Sequence, residues 1–433
     1  IDAFDVTGET NGIYAKNNAG LGDLRITSTG AVIAIAGDGI YAYSNQNAAL
    51  TIDAAVVIGA EEGIEAHQNG YGALSITATS VVVGNAGNGI YAANEGTDLT
   101  IDTAEVSGTL SGINAINNGT GDLSVISTGA VVGYLAHGIS GYNSFYSGGG
   151  LTISAVDAEG GEKGIDARQY GDGALSITST GAVKGNAGHG IYAASSGTHL
   201  TIDAVNVTGG QRGINATNSG TGVLGIRSTG AVTGETGIGI NATNAGTDLT
   251  INAVDVSGSN WGIYAKNNGT GDLSITSVGT VTGTTVHGIR GNNSSYGDNL
   301  TINTAGVTGA VLGIFATNNG TDALGITSTG AVTGQAAHGM NARNFGTDLT
   351  IQAADVTGST SGINAFNDGS GALSITSSGA VIGQGVHGMS VGNVGTDLTI
   401  QATDVTGSIS GIKAYNDGSG ALSITSSGAV IGQ

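Results

Sequence analysis

The amino-acid sequence predicts an all-β protein, a right-handed parallel β-helix (β-solenoid) of about 17 turns of 24–25 residues in a two-turn repeat of about 49. Two motifs recur along the whole chain, and within each motif the apolar residues lie two positions apart. A period of two is typical of β-strands with one face buried, and no helical period accompanies it. A third short segment, Ala-Val-x-Gly, completes three predicted strands per turn.

The first motif is Leu-x-Ile, with Val125 in place of Ile in one turn, and it occurs seventeen times. Starting from Leu50, alternate intervals between successive leucines are 24 residues and the others are mostly 25. One turn cannot bury its own apolar face, so we expect turns to stack about 4.8 Å apart with each Leu on the Leu of the next turn. The coil is expected to be right-handed because crossovers between parallel strands almost always are.

The second motif is Gly-Ile-x-Ala-x-Asn, as in residues 213–218, with Met340 and Met389 replacing Ile in two of its seventeen copies. We interpret its last position as a structural asparagine ladder, since Asn tolerates a left-handed turn and stacked Asn side chains can hydrogen-bond to one another. The predicted ladder consists of Asn94, Asn117, Asn218, Asn244, Asn267, Asn318, Asn344, Asn367, Asn393 and Asn416, with Asn17, Asn143 and Asn293 at the same position.

Composition narrows the range of partners. The formal net charge is -21, so the surface repels phosphate, and we expect no nucleic-acid or anionic-membrane partner. There are 81 glycines among regularly spaced apolar residues, which indicates turns between strands, and no proline, which fits strands that use every N–H group. Cysteine is absent, which excludes disulfides and thiolate chemistry.

The extent of the repeat indicates how the chain is organised. Residues 404–433 repeat residues 355–384 with three changes, and looser copies extend back to Ile1, where the chain starts in mid-pattern. We therefore expect 1–433 to form a single continuous β-solenoid that is part of a longer chain. No stretch approaches 18 apolar residues, so no membrane insertion by this segment is expected.

The combination of L-x-I-x-[SA], V-x-G and G-I-x-A-x-N over all 433 residues resembles the repetitive passenger regions of bacterial type V autotransporters and related β-helical adhesins. The resemblance implies an extracellular or bacterial cell-surface β-helix that acts as a stalk or adhesin. It specifies a fold more closely than an activity.

Two turns are longer than the others, with extra residues in 138–150 and 288–299. Insertions that leave the repeat in phase are surface loops, and loops often carry recognition. These segments hold aromatic and polar residues that suit contacts with a partner, although neutral drift in a tolerant turn also explains them. The candidate contact residues are Tyr142, Phe145, Tyr146, Arg290, Asn292 and Tyr296.

Three sets of ionisable residues could carry chemistry, and we assign a structural role to each. Histidines on alternate turns lie too far apart to share a metal ion, although they could form a pH-responsive stripe. Two rows of aspartates are interpreted as solvated turn residues rather than a calcium site, since calcium takes six to eight oxygens. A non-repeated cluster is interpreted as a surface ion-pair network, with Asp166 and Arg168 both pointing outward. In order, the sets are His137, His189, His287, His338 and His387; Asp98, Asp248, Asp348 and Asp397 with Asp157, Asp255, Asp355 and Asp404; and Asp157, Glu159, Glu162, Lys163, Asp166 and Arg168.

The sequence therefore predicts no catalytic residue, no metal site and no cofactor. The first functional hypothesis is a non-catalytic extracellular structural or adhesive rod that contacts a host or matrix surface. A second is a filament or sheath subunit that contacts copies of itself end to end, because unpaired terminal strands invite stacking. A third is a carbohydrate-active enzyme on the same fold.

Overall fold

The chain folds into β-strands joined by turns, and the computed structural model describes residues 1–18 and 22–433. The predicted all-β, parallel β-solenoid of about 17 turns is confirmed. Across the part of the chain that is described there is no helix that could cross a membrane. The Cα positions group into two compact units, unit 1 (Ile1–Gly210 with Asn215–Gly222) and unit 2 (Gln211–Ile214 with Val223–Gln433). One continuous body over 1–433 stays a prediction.

Unit 1 contains the first twenty strands, and a further strand, β21 (Ile214–Asn218), holds residues of both units. The strands of unit 1 are β1 (Asp2–Ala3), β2 (Val6–Gly8), β3 (Ile13–Asn17), β4 (Leu24–Ala34), β5 (Ile40–Ser44), β6 (Leu50–Gly59), β7 (Ile64–Gln68), β8 (Leu74–Gly84), β9 (Ile90–Asn94), β10 (Leu99–Gly108), β11 (Ile113–Asn117), β12 (Leu123–Gly133), β13 (His137–Asn143), β14 (Leu151–Gly160), β15 (Lys163–Gln169), β16 (Leu175–Ser179), β17 (Ala182–Gly185), β18 (Ile191–Ser195), β19 (Leu200–Ala204) and β20 (Asn206–Gly209).

Unit 2 repeats the same arrangement. Its strands are β22 (Leu224–Ser228), β23 (Val232–Gly234), β24 (Ile240–Asn244), β25 (Leu249–Ala253), β26 (Val256–Gly258), β27 (Ile263–Asn267), β28 (Leu273–Gly283), β29 (His287–Asn293), β30 (Leu300–Gly309), β31 (Leu312–Asn318), β32 (Leu324–Ser328), β33 (Val332–Gly334), β34 (Met340–Asn344), β35 (Leu349–Ala353), β36 (Val356–Gly358), β37 (Ser361–Asn367), β38 (Leu373–Ser377), β39 (Val381–Gly383), β40 (His387–Asn393), β41 (Leu398–Ala402), β42 (Val405–Gly407), β43 (Ser410–Asn416), β44 (Leu422–Ser426) and β45 (Val430–Gly432).

The predicted stacking of leucine on leucine is confirmed inside each unit. In unit 1, Leu50 pairs with Leu74, and Leu74 pairs with Leu99, in parallel register. In unit 2 the same register links Leu349 to Leu373 and Leu373 to Leu398. Because the register holds from turn to turn, every inward position of the motif becomes a column of like residues.

The core is made of these columns. In the turn that follows Ser361, the side chains of Ile363, Ala365, Leu373, Ile375 and Val381 are all 0% exposed. Burying one Leu, Ile or Val side chain contributes roughly 1.5–3 kcal/mol, so each turn gains most of its stability from the turns above and below it. Aromatic residues are excluded from the columns and lie outside.

The number of strands per turn varies, which differs from the three strands predicted for every turn. In several turns the first and third predicted strands join into one strand of 10 or 11 residues. Their pairing shows a register shift at the bend, as between Ala54 and Val57 in the pair of β6 with β8. A bulge of this kind lets a strand turn a corner without breaking the ladder. The joined strands are β4, β6, β8, β10, β12, β14, β28 and β30.

The asparagine side chains of the second motif point inward and form a hydrogen-bonded ladder in each unit. In unit 2, Asn344 Nδ2 donates to Asn367 Oδ1 (3.0 Å), and Asn367 Nδ2 donates to Asn393 Oδ1 (3.0 Å). These three side chains are 0% exposed. Each also closes its own turn, as when Asn367 Nδ2 donates to the carbonyl of Gly371 (3.1 Å). An amide serves here because it offers two N–H donors and a carbonyl acceptor.

The left-handed turn proposed as one reason for these asparagines is wrong. No described residue, glycine or otherwise, has a positive φ angle. The amide hydrogen bonds therefore account for the asparagines, and the glycines of the motif need a different explanation. At Gly362 an added Cβ would lie 2.6 Å from Val381 Cγ1 and 2.9 Å from the carbonyl oxygen of Gly388. Lack of space excludes any larger residue there.

Candidate functional site

The residues predicted to contact a partner in the first insertion of unit 1 are divided between a strand and a loop. Tyr142 belongs to β13, and its ring lies 5.4 Å from the ring of Tyr170. Phe145 follows in the loop, 5.0 Å from Tyr170 and 70% exposed. Tyr146 is 83% exposed. Tyr170 was not among the predicted residues. It directly follows β15, and its ring packs against the rings of Tyr142 and Phe145.

The second insertion, in unit 2, corrects part of the prediction. Arg290 and Asn292 lie in strand β29 rather than in a loop, because the extra residues begin after Asn293. Arg290 pairs with Tyr264 on one side and Phe315 on the other, and its guanidinium lies 5.4 Å from the centre of each ring. Only Tyr296, 75% exposed, belongs to the loop.

The candidate ion-pair cluster of unit 1 has a different membership from the predicted one. Asp157 and Glu159 are not part of it, since Asp157 accepts the backbone N–H of Ala182 (2.6 Å) and Glu159 pairs with Lys184 (3.4 Å). They were grouped by proximity in sequence, but they lie on β14, whereas the true cluster forms on β13 and β15.

Asp166 is the centre of the cluster and lies at an outward position of β15, as predicted, but its carboxylate is covered by neighbouring side chains. Its side chain is 4% exposed because basic residues surround the carboxylate. Lys163 Nζ lies 2.9 Å from Asp166 Oδ2, and Arg168 Nε lies 2.9 Å from Asp166 Oδ1. His137 Nε2, which sequence analysis placed only in the histidine stripe, approaches to 3.6 Å, and Glu162 pairs with Lys163 at 3.2 Å. Register explains the meeting, since His137 pairs with Lys163.

This arrangement holds charge rather than moving protons. Burial opposes ionisation of Asp166, but the hydrogen bonds from Arg168 and Lys163 outweigh burial and lower the pKa of the carboxyl. Burial also lowers the pKa of His137 despite the attraction of Asp166. A general acid or base works best with a pKa near the operating pH. The Asp166 carboxylate, charged and held by two cations, is a poor proton carrier.

The aspartate rows have a structural task that the sequence did not show. Asp355 Oδ1 accepts the backbone N–H of Ala380 (2.8 Å), and Asp348 Oδ1 accepts that of Ala372 (2.7 Å). Each partner lies one turn further along the chain. The rows therefore cap N–H groups at the bends, in addition to facing solvent. Equivalent bonds are made by Asp98, Asp157, Asp248, Asp255, Asp397 and Asp404.

A group of three carboxylates in unit 1 could hold a cation. Oxygen atoms of Asp38, Glu62 and Glu65 lie within 4.8 Å of one another, the one such acidic group among the described residues. Asp38 accepts hydrogen bonds from Asn11 Nδ2 (3.3 Å) and from the backbone N–H of Glu62 (3.2 Å). Glu65 pairs with His67 at 2.7 Å. With one oxygen from each side chain, the group supplies three of the six to eight oxygens that calcium takes.

Asp38 is expected to make the stability of unit 1 depend on pH. Burial, with Glu65 and Glu62 nearby, raises its pKa from 3.8 to about 6. Between these values the folded chain holds a proton that the unfolded chain has lost. The stabilisation is therefore complete below about pH 4 and disappears as the pH rises through 6. The parent chain should therefore lose about 1–2 kcal/mol of its free energy of unfolding between pH 4 and 7, and Asp38→Asn should abolish this loss, as measured by denaturant unfolding at several pH values.

The matched control is Asp102→Asn, which changes an exposed carboxylate of the same unit. Its unfolding curves should follow those of the parent chain at each pH. If the Asp38→Asn chain also kept the parent's pH dependence, the effect of burial on Asp38 would be disproved.

Four histidines of the predicted stripe are partly buried, and burial lowers the pKa of each. A lowered pKa favours the neutral imidazole in the folded chain. Above pH 6.5, the ordinary histidine pKa, the free energy of unfolding is therefore unaffected, and it decreases as the pH falls below 6.5 because the unfolded chain takes up protons first. Whether the stripe is a pH sensor stays a hypothesis. The four are His137, His287, His338 and His387.

A second surface of unit 2, which we call the lateral groove, is formed by the outward positions of three successive turns. The residues come from β31, β34 and β37 and from the residue that directly follows each strand. The groove has a volume of about 690 Å³. Its nine residues form a three-by-three grid of Phe315, Thr317 and Asn319; Asn341, Arg343 and Phe345; and Asn364, Phe366 and Asp368.

Arg343 occupies the centre of the grid. Its Nε donates to Asp368 Oδ2 (2.6 Å), and its guanidinium lies 4.6 Å from the centre of the Phe345 ring. Beside it, Asn364 Nδ2 donates to Asn341 Oδ1 (3.2 Å). The sequence did not bring these residues together, because the motifs follow one column at a time and the three phenylalanines lie in three different columns.

Comparisons with known protein families, with characterised proteins and with solved structures gave no match to this chain.

Proposed function

We propose that this chain is a non-catalytic structural and adhesive β-solenoid of a bacterial cell surface or the extracellular space, and that the exposed aromatic residues of its two insertions contact a host or matrix surface. The resemblance of its repeats to autotransporter passenger regions supports the location. The net charge of -21 disfavours nucleic acid and anionic lipid as the partner.

The observation that carries this proposal is the exposure of aromatic side chains in both insertions. Phe145 and Tyr146 are 70% and 83% exposed in unit 1, and Tyr296 is 75% exposed in unit 2. Aromatic residues make up only 4% of the chain, and no core column requires these three. Exposed Tyr and Phe give a large contact area for little loss of side-chain entropy, which suits recognition.

The buried columns support a structural rather than a catalytic role. The same buried residues recur in each turn, so the columns build a uniform scaffold. The non-repeated ionic cluster at Asp166 is held by Lys163 and Arg168, and its carboxylate is a poor acid or base.

Retention of the purified chain on cultured epithelial cells and on immobilised matrix proteins tests the proposal. The parent chain should be retained on at least one of these surfaces. A variant carrying Phe145→Ser, Tyr146→Ser and Tyr296→Ser should lose at least about tenfold in retention, because truncating central aromatic contacts costs 1 kcal/mol or more.

Tyr71→Ser is the matched control, since Tyr71 is 77% exposed but lies outside both insertions. It should leave retention unchanged. Failure of the parent chain to bind any of the surfaces would contradict the adhesive role, and equal loss in the control would contradict the assignment to the insertions.

A further inference from the structure

The lateral groove of unit 2 concentrates aromatic side chains that the fold itself does not need. The chain has five phenylalanines, and Phe315, Phe345 and Phe366 line this one surface. All three occupy outward positions, and Phe345 is 43% exposed. The buried columns beneath them consist of Ile, Met, Ala and Asn, so core packing does not account for the rings.

The polar residues of the groove are mostly neutral groups that can both donate and accept hydrogen bonds. Asn319, Asn341 and Asn364 supply three amides, and Thr317 supplies a hydroxyl. The two charges of the groove cancel, since Arg343 is paired with Asp368 at 2.6 Å. The groove is therefore electrically neutral on a chain whose formal charge is -21.

We propose that the lateral groove binds a neutral, β-linked hexose oligosaccharide that lies across successive turns. Sugar rings present C–H faces that pack on aromatic side chains and hydroxyl groups that pair with amides, and the groove supplies both. The guanidinium of Arg343 can donate to one sugar hydroxyl, while the neighbouring carboxylate of Asp368 accepts from the next one. Binding sites of this kind combine apolar walls with a few convergent polar groups.

The spacing of the groove fits an extended chain of sugars. The turns are about 4.8 Å apart, which is close to the length of one unit in a β-1,4-linked hexose chain. One phenylalanine is present in each of the three turns, at Phe315, Phe345 and Phe366. A sugar chain that follows the central column, over Arg343, has Phe315 on one side in the first turn, Phe345 on the other side in the second and Phe366 beneath it in the third.

Other classes of ligand fit the groove less well. A peptide bound as an added strand needs free backbone groups, but the backbone of β34 pairs with β31 on one side and with β37 on the other. Acidic glycans are repelled by the net charge, and Arg343 is already neutralised by Asp368. A neutral sugar needs no free backbone groups and is not repelled by the net charge.

This inference rests on the proposed adhesive function, because it names the class of surface ligand that the solenoid would recognise. The test is isothermal titration of the full chain with cellohexaose and with chitohexaose, using hexagalacturonate as the acidic comparison. We expect saturable binding of at least one neutral hexaose at millimolar or lower concentration, and none of hexagalacturonate.

Two variants locate the site. Phe366→Ala and Phe345→Ala should each weaken binding about tenfold, which corresponds to about 1.4 kcal/mol. Tyr71→Ala, which truncates an exposed ring of unit 1 outside both the insertions and the groove, should leave binding unchanged. Since both groove rings point away from the core, the variants should keep the unfolding temperature of the parent chain, which shows that any loss is not caused by unfolding.

The inference is overturned if neither neutral hexaose binds, if hexagalacturonate binds more tightly than both, or if Phe366→Ala and Phe345→Ala leave the affinity unchanged. Retention on cells that persists without hexaose binding would reject the sugar site and keep the adhesive role. If the parent chain neither is retained on cells nor binds a hexaose, the adhesive role and the sugar site are both rejected.

Discussion

Replacing Asn367 with aspartate is expected to lower the free energy of unfolding by about 3–5 kcal/mol, the range found when a buried charge loses its partners. The two side chains have the same shape, but aspartate lacks the N–H groups that donate to Asn393 Oδ1 and to the carbonyl of Gly371. A carboxylate at a 0% exposed position would face two acceptor oxygens with no donor between them. The carboxylate would have to take up a proton or remain charged beside these two oxygens, and both outcomes lower the free energy of unfolding.

Asn364→Asp is the matched control in the same strand. Asn364 points outward, is half-buried and makes one side-chain hydrogen bond, to Asn341 (3.2 Å). Its substitution should cost less than about 1 kcal/mol. Denaturant unfolding of the two variants beside the parent chain measures the difference. Equal effects at the two positions would show that the ladder adds nothing beyond an ordinary surface hydrogen bond.

Gly362→Ala is expected to destabilise unit 2 by about 3 kcal/mol, the upper part of the usual range for overpacking. The new methyl group would lie 2.6 Å from Val381 Cγ1 and 2.9 Å from the backbone oxygen of Gly388. The valine has two branches at its Cβ and little freedom to move, and the Gly388 oxygen is fixed by the next turn. Since the same contacts recur in each turn, the strain cannot be passed to a neighbour.

Gly325→Ala provides the control, because nothing lies within 4 Å of a Cβ built at Gly325. Alanine there should be neutral or slightly stabilising, since it reduces the freedom of the unfolded chain. Thermal unfolding of the two variants should therefore differ clearly. If Gly362→Ala were as stable as Gly325→Ala, close packing would not explain the glycine of the second motif.

The sequence was sufficient for the fold because inward positions repeat with a strict period. Leu349, Leu373 and Leu398 could be aligned from their spacing alone, and the structure pairs them in that register. The role of Asn367 was also accessible, since a polar residue at an inward position needs polar neighbours. The reason for Gly362 was not, because crowding by Val381 depends on the three-dimensional path of the chain.

The outward surfaces were harder to predict because they have no period. Asp166 was expected at an outward position, but its burial was not, because residues from two strands cover it and one of them, His137, is a full turn away in sequence. Phe345 and Phe366 were not predicted to share a surface, because they lie in different columns of different turns. Alignment of neighbouring turns as a two-dimensional grid would have shown both groups.

A buried ladder of amides holds successive turns together, while the outward residues are free to vary. Hydrogen exchange of side-chain amides, measured by NMR on a deuterated chain labelled with ¹⁵N-asparagine, tests it most directly. We expect Asn344, Asn367 and Asn393 to keep their side-chain amide protons far longer than the outward Asn319 and Asn364. Exchange of all five at the rate of a free amide would contradict it.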